Sequence, residues 1–207
     1  MIASALLPGV MAGLTLRQRD FLDRVGWSPV GRTDTQWPSL LALGPDGWVL
    51  SAAFACSAVA IGAQAAAVFQ ASGDRRGRGV GMLIGAGAVG LAAVAFPADL
   101  PGTANGSWHA AIHNGFYPLI PLCTTAAAAL HGYGRPAGAA PSAIRVSQVM
   151  APLMLVSFAG TAVDEVAQLS RYFAFTLFAA WLAMIGAQLV RQGDFAATRL
   201  GRTGAAT

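Results

Sequence analysis

The chain predicts an all-α fold, a polytopic transmembrane helical bundle of six spans, and three observations lead there. Only 11% of its 207 residues are charged and 55% are hydrophobic, against roughly a quarter charged in a soluble domain. The apolar residues gather into runs of about 18 to 25, the length that crosses the hydrocarbon core of a bilayer. The 13 basic residues, all arginine, and the nine acids lie between those runs. Residues 1–207 read as one integral membrane domain.

The elements follow in order. Residues 2–14 are apolar but short, with no basic leading segment and no small-residue cleavage site. They read as a short first span and not as a cleaved signal. An outer connection over 15–47 leads to a second span over 48–71. The third span, 79–97, carries Gly81 and Gly85 as a G-x-x-x-G pair with Gly87 and Gly90 beyond, small residues that let helix backbones approach closely. After an outer connection over 98–107 comes the fourth span, 108–132. Pro118 and Pro121 interrupt it, and their missing N–H groups predict a kink. Spans over 146–163 and 172–190, joined by an outer connection over 164–171, complete the set.

Arginine placement orients the bundle. With alternating spans, Arg75, Arg76, Arg78, Arg135, Arg145, Arg191, Arg199 and Arg202 share one side, and the positive-inside rule makes that side cytoplasmic. Arg17, Arg19, Arg24, Arg32 and Arg171 fall opposite. The expectation is N-in and C-in, in a bacterial cytoplasmic (inner) membrane. Asp20, Asp23, Asp34, Asp46, Asp99, Asp164 and Glu165 then lie on the outer side.

Several function classes lose their footing. The pI of about 9.8 does not point to nucleic acid, because the arginines form no single stripe. Cys56 and Cys123 each fall inside an apolar run and read as small core residues. Phosphate-loop and dinucleotide signatures are absent, so no nucleotide is expected. His109, His113 and His131 all belong to the fourth span, whereas bis-histidine haem sites draw on two helices, so no haem is expected either.

The stretch FPADLPGTANGSWHAAIHN, residues 96–114, carries the candidate chemistry. His109 and His113 are four apart and share one helix face, a spacing that lets two imidazoles hold one metal ion. Asp99 ends the preceding span, and Asp164 and Glu165 end the fifth span on the same side. The candidate metal site is therefore His109, His113, Asp99 and Asp164 around one divalent ion, zinc by preference. Glu165 is the candidate general base, with Ser107, Asn114 and the outer-loop Asp34 nearby. Zinc would lower the pKa of bound water towards about 7 and supply a hydroxide nucleophile. The same residues also admit a purely structural reading. Ser107 suits an N-cap, Asp99 a turn, His113 a bond to a neighbouring carbonyl, and Asp164 or Glu165 an ion pair with Arg171.

The ordered pattern TDTQWPSLLALGPDGW, a span, RRGRG, a Gly-rich span closing in FPADLPG, then SWHAAIHN resembles domain-of-unknown-function family 998, a group of bacterial multi-pass membrane proteins. The resemblance covers residues from about Trp27 to Val190. It implies Asp34, Gly44, Pro45, Gly47, Trp48, Asp99, His109 and His113 as motif positions. It implies a fold and a location but no activity, and its members commonly begin with a full first span. A more distant similarity is to the alkaline ceramidase superfamily, membrane hydrolases that bind zinc through three histidines and an aspartate. By that analogy Asp99 or Asp164 would replace the third histidine.

Two functions stay open. One is a metal-dependent hydrolase acting on a lipid or other amphipathic substrate at the extracytoplasmic face. The other is a non-enzymatic accessory subunit or lipid-binding protein whose outer polar cluster is structural. Membrane lipid is the expected partner in both, no nucleic acid is expected, and a protein partner within the membrane is unidentified.

Overall fold

A computed structural model describes residues 2–28, 38–100 and 106–204, with side chains described over 6–28, 38–100 and 106–191. The described elements are helical: α1 (Ile2–Arg17), α2 (Arg19–Arg24), a 3-10 turn (Ser39–Leu43), α3 (Gly47–Ala71), α4 (Arg75–Ala93), α5 (Trp108–Phe116), α6 (Leu119–Gly134), α7 (Pro141–Gly160) and α8 (Ala167–Gly204). Among them, α3, α7 and the Ala167–Arg191 part of α8 are long and apolar enough to cross a membrane. Leu6–Arg17 is a shorter apolar helix.

Local chemistry explains where the elements depart from the apolar runs. Helix α4, the predicted third span, starts at Arg75, four residues before its apolar run. Asp74 caps it, Oδ1 accepting from the Gly77 N–H at 2.8 Å, which offsets one of the unsatisfied donors of a helix start. The seventh helix likewise starts early, with Pro141 in its first turn, where a missing N–H costs nothing. The predicted fourth span is two helices. Pro118 cannot donate to the turn before it, so α5 ends at Phe116 and α6 restarts at Leu119 with Pro118 as its N-cap at φ −62°. The outer connection predicted over 15–47 contains the end of α1, all of α2 and the 3-10 turn.

Packing follows the small residues. Neighbours in sequence are neighbours in space, α3 on α4, α4 on α6, α6 on α7 and α7 on α8, with α1 against α3 and α8. A Cβ at Gly81 would lie 2.9 Å from the Phe69 backbone N of α3, and one at Gly132 would lie 2.7 Å from the Gln148 backbone N of α7. Both contacts are too close for any side chain, so glycine sets the spacing of these pairs. Leu41, Leu50, Phe54, Leu91, Trp181 and Leu182 are buried in one core, while Val59, Met82, Val89, Leu122, Leu155 and Val156 are exposed on the outside. A soluble monomer rarely exposes apolar surface so widely.

Polar bonds tie the helices at three levels. At one end, Asp74 Oδ2 accepts from the Ala137 N–H at 2.9 Å and Arg76 Nη1 donates to the Gly134 carbonyl at 2.8 Å. The 72–74 and 135–140 connections therefore meet. Deeper, Gln64 of α3 donates to the Leu182 carbonyl of α8 at 2.8 Å, and Ser147 of α7 accepts from Trp181 Nε1 at 2.8 Å. His131 Nδ1 lies 2.9 Å from the same Ser147 oxygen, which has two lone pairs and a proton to share between its two partners. His131 stands in the last turn of α6 and is buried there as a link between α6, α7 and α8. The opposite end of the bundle holds the 3-10 turn and residues 96–100 and 106–114.

Candidate functional site

The segment between α4 and α5 is shaped by two carbonyls and one carboxylate. Past α4 the chain turns out at Phe96 and Pro97, whose carbonyls have no helical partner. The imidazoles of α5 take them: His113 Nδ1 lies 2.7 Å from the Phe96 oxygen and His109 Nδ1 lies 2.9 Å from the Pro97 oxygen. A carbonyl only accepts, so both rings carry their proton on Nδ1. The four-residue spacing puts both histidines over the successive carbonyls of Phe96 and Pro97, the same face-sharing read from the sequence.

His113 is 2% exposed and its second nitrogen is also engaged. Nε2 accepts from the Ser39 hydroxyl at 2.7 Å. The ring therefore joins α5, the turn after α4 and the 3-10 turn before α3, and it keeps no lone pair for a metal. Sequence reasoning missed Ser39. Its signal was its place in the TDTQWPSLL stretch, a serine set between Pro38 and the apolar pair Leu40 and Leu41.

Asp99 closes the other half of the cluster. Its Oδ2 accepts from the Ser107 N–H at 2.6 Å and its Oδ1 from the Ser107 hydroxyl at 2.7 Å. The Ser107 Oγ in turn accepts from the Ala110 N–H at 3.1 Å, as the N-cap of α5. Asp99 Oδ1 stands 4.0 Å from His109 Nδ1. The Ser107 N–H, then its hydroxyl, hold the Asp99 carboxyl below the ordinary carboxylate range, and His109 adds a smaller pull in the same direction. Trp108 packs edge-on against Phe96 and His109 with ring centroids 5.6 Å apart in each case. The result is a stapled turn.

The residues of the proposed metal set divide as follows. Asp99, Ser107 and His109 are together, and His113 sits one turn deeper with both nitrogens bonded. Asp164 and Glu165 are exposed in the turn between α7 and α8, and Asn114 is exposed on α5. Asp34 lies outside the described residues. Among the described residues no group of three or more His, Cys, Asp or Glu side chains is placed to share a metal ion. The Arg171 guanidinium donates to Gln168 Oε1 at 3.3 Å and lies beside the Tyr117 hydroxyl.

Neither the curated proteins nor the solved structures include a match to this chain. A family model does match, described as Protein of unknown function (DUF998), over residues 20–201, a range that contains the 3-10 turn, the stapled turn and α3 to α8 almost complete. The chain belongs to the DUF998 family.

Proposed function

We propose that this protein is a six-pass membrane protein that binds membrane lipid without chemistry, and that its outer polar cluster holds the bundle's end together. The observation that carries this reading is His113. A ring that donates to Phe96 and accepts from Ser39 has used its whole hydrogen-bonding capacity on the fold. Ser107 and Asp99 are likewise satisfied by each other and by the α5 backbone.

Six passes are supported by α1, α4 and the α5–α6 pair lying alongside the three helices of full span length. The N-in, C-in arrangement is supported by Arg75, Arg76, Arg78, Arg135 and Arg145 gathering at the end where Asp74 meets Ala137. A reporter fused after residue 207 should read as cytoplasmic in a bacterial inner membrane. A periplasmic reading overturns the orientation.

One observation favours the second reading, a metal-dependent hydrolase at the outer face. His109 bonds through Nδ1 to a carbonyl and is 33% exposed, which leaves Nε2 as a lone pair in the manner of metal-ligating histidines. Asp164 and Glu165 would have to join it. Zinc analysis of the purified chain separates the two. Stoichiometric zinc that disappears in His109→Ala supports the hydrolase, and zinc-free wild type supports the structural cluster.

A further inference from the structure

A shallow open groove runs between α6, α7 and α8, with only about 30 Å³ of space enclosed within it. Ile120, Met154, Phe158, Phe175 and Phe178 line it together with three threonines, and no acid does. Its one charge is Arg171, four residues into α8, with Tyr117 beside it at the break between α5 and α6. A guanidinium has five N–H donors. That of Arg171 makes a long bond to Gln168 Oε1 and a bond with the Tyr117 hydroxyl, which leaves further N–H groups for a ligand.

We infer that this groove is a binding site for an anionic glycerophospholipid, its phosphate diester against Arg171 and an acyl chain along the phenylalanines. The inference rests on the reading above that these helices cross a bilayer. Depth supports it: Arg171 sits near the start of a span-length helix, at headgroup level, where a cation faces lipid phosphate and not hydrocarbon. From Arg171 to Phe178 the trough runs about 10 Å at the usual helical rise, so it grips the glycerol end of one chain. Charge complementarity chooses the occupant. A guanidinium presents a bidentate fork to phosphate, the wall offers no acid to repel it, and a zwitterionic lipid would bring a cation with no partner here.

The full chain reconstituted into nanodiscs tests it. Phosphatidylglycerol and phosphatidylcholine with identical acyl chains compete for retention, read by native mass spectrometry. Retention of phosphatidylglycerol should be favoured about tenfold, the scale of one charge-assisted hydrogen bond. Arg171→Gln should abolish the preference, Arg171→Lys should keep part of it, and Ala174→Phe, which fills the trough, should weaken retention of both lipids. Equal retention by wild type, an unchanged preference in Arg171→Gln, or inorganic phosphate displacing the lipid without any effect of Ala174→Phe would overturn the site. Failure of the chain to enter nanodiscs at all would instead overturn the membrane reading on which the site rests.

Discussion

The Ser39 hydroxyl meets Nε2 of His113 at 2.7 Å across 74 positions of sequence, with both residues buried. It joins the turn before α3 to the first helix of the broken α5–α6 pair. Removing either partner leaves a polar atom without water. Ser39→Ala should cost about 1 kcal/mol, and His113→Ala about 2–5 kcal/mol, because it also strands the Phe96 carbonyl and opens a cavity. The double variant should cost less than the sum. Thermal melts of the four proteins in one detergent check this, and additive losses would mean that the pair is not coupled.

Acid should loosen both ends of the bundle through Asp74 and Asp99. The Gly77 and then the Ala137 N–H groups hold the Asp74 carboxyl below its usual range, as the Ser107 N–H does for Asp99. A carboxyl lowered in the folded state contributes stability above the unfolded pKa of about 3.9 and loses it as pH falls through the folded value. Carbon-detected NMR of the two carboxyls should find both midpoints below about 3.9. Midpoints at or above the ordinary value would contradict the hydrogen-bonding scheme.

Two glycines should respond in opposite directions. Gly132→Ala places a methyl against the Ser147–Gln148 backbone and should cost about 1–3 kcal/mol by overpacking. In α3, Gly62 faces open space with nothing within 4 Å of a Cβ. There Gly62→Ala should be neutral or stabilise by up to about 1 kcal/mol. Melting midpoints that move together would refute the assigned helix contacts.

The His131–Ser147–Trp181 link predicts a spectroscopic change. Ser147→Ala removes the acceptor of the buried Trp181 indole, at a cost of about 1–3 kcal/mol, and should shift near-ultraviolet circular dichroism from that ring. An unchanged aromatic spectrum would show that the bond is not made.

Much of this was legible in the sequence. Long apolar runs without charge fixed the helical class, and the four-residue spacing of His109 and His113 put both rings on one face. Pro118 announced the break between α5 and α6. Span limits were less legible, because helices begin at local start signals, the Asp74 cap of α4 and Pro141 in the first turn of α7, and not where the apolar run begins. The partners of the histidines could not be read. The Phe96 and Pro97 carbonyls carry no side-chain signature, and Ser39 is 74 residues away. Residue types suggested a ligand set for the same reason: imidazole and carboxylate side chains look alike in sequence whether they hold an ion or a turn.

The most direct test is a thermal melt of the purified wild type with and without a strong zinc chelator, repeated for His109→Ala. If the outer cluster is a hydrogen-bonded staple, the chelator should leave the midpoint unchanged in both proteins, since no bound ion contributes to folding. A midpoint that drops with chelator in wild type, recovers on adding zinc and is insensitive in His109→Ala would contradict it.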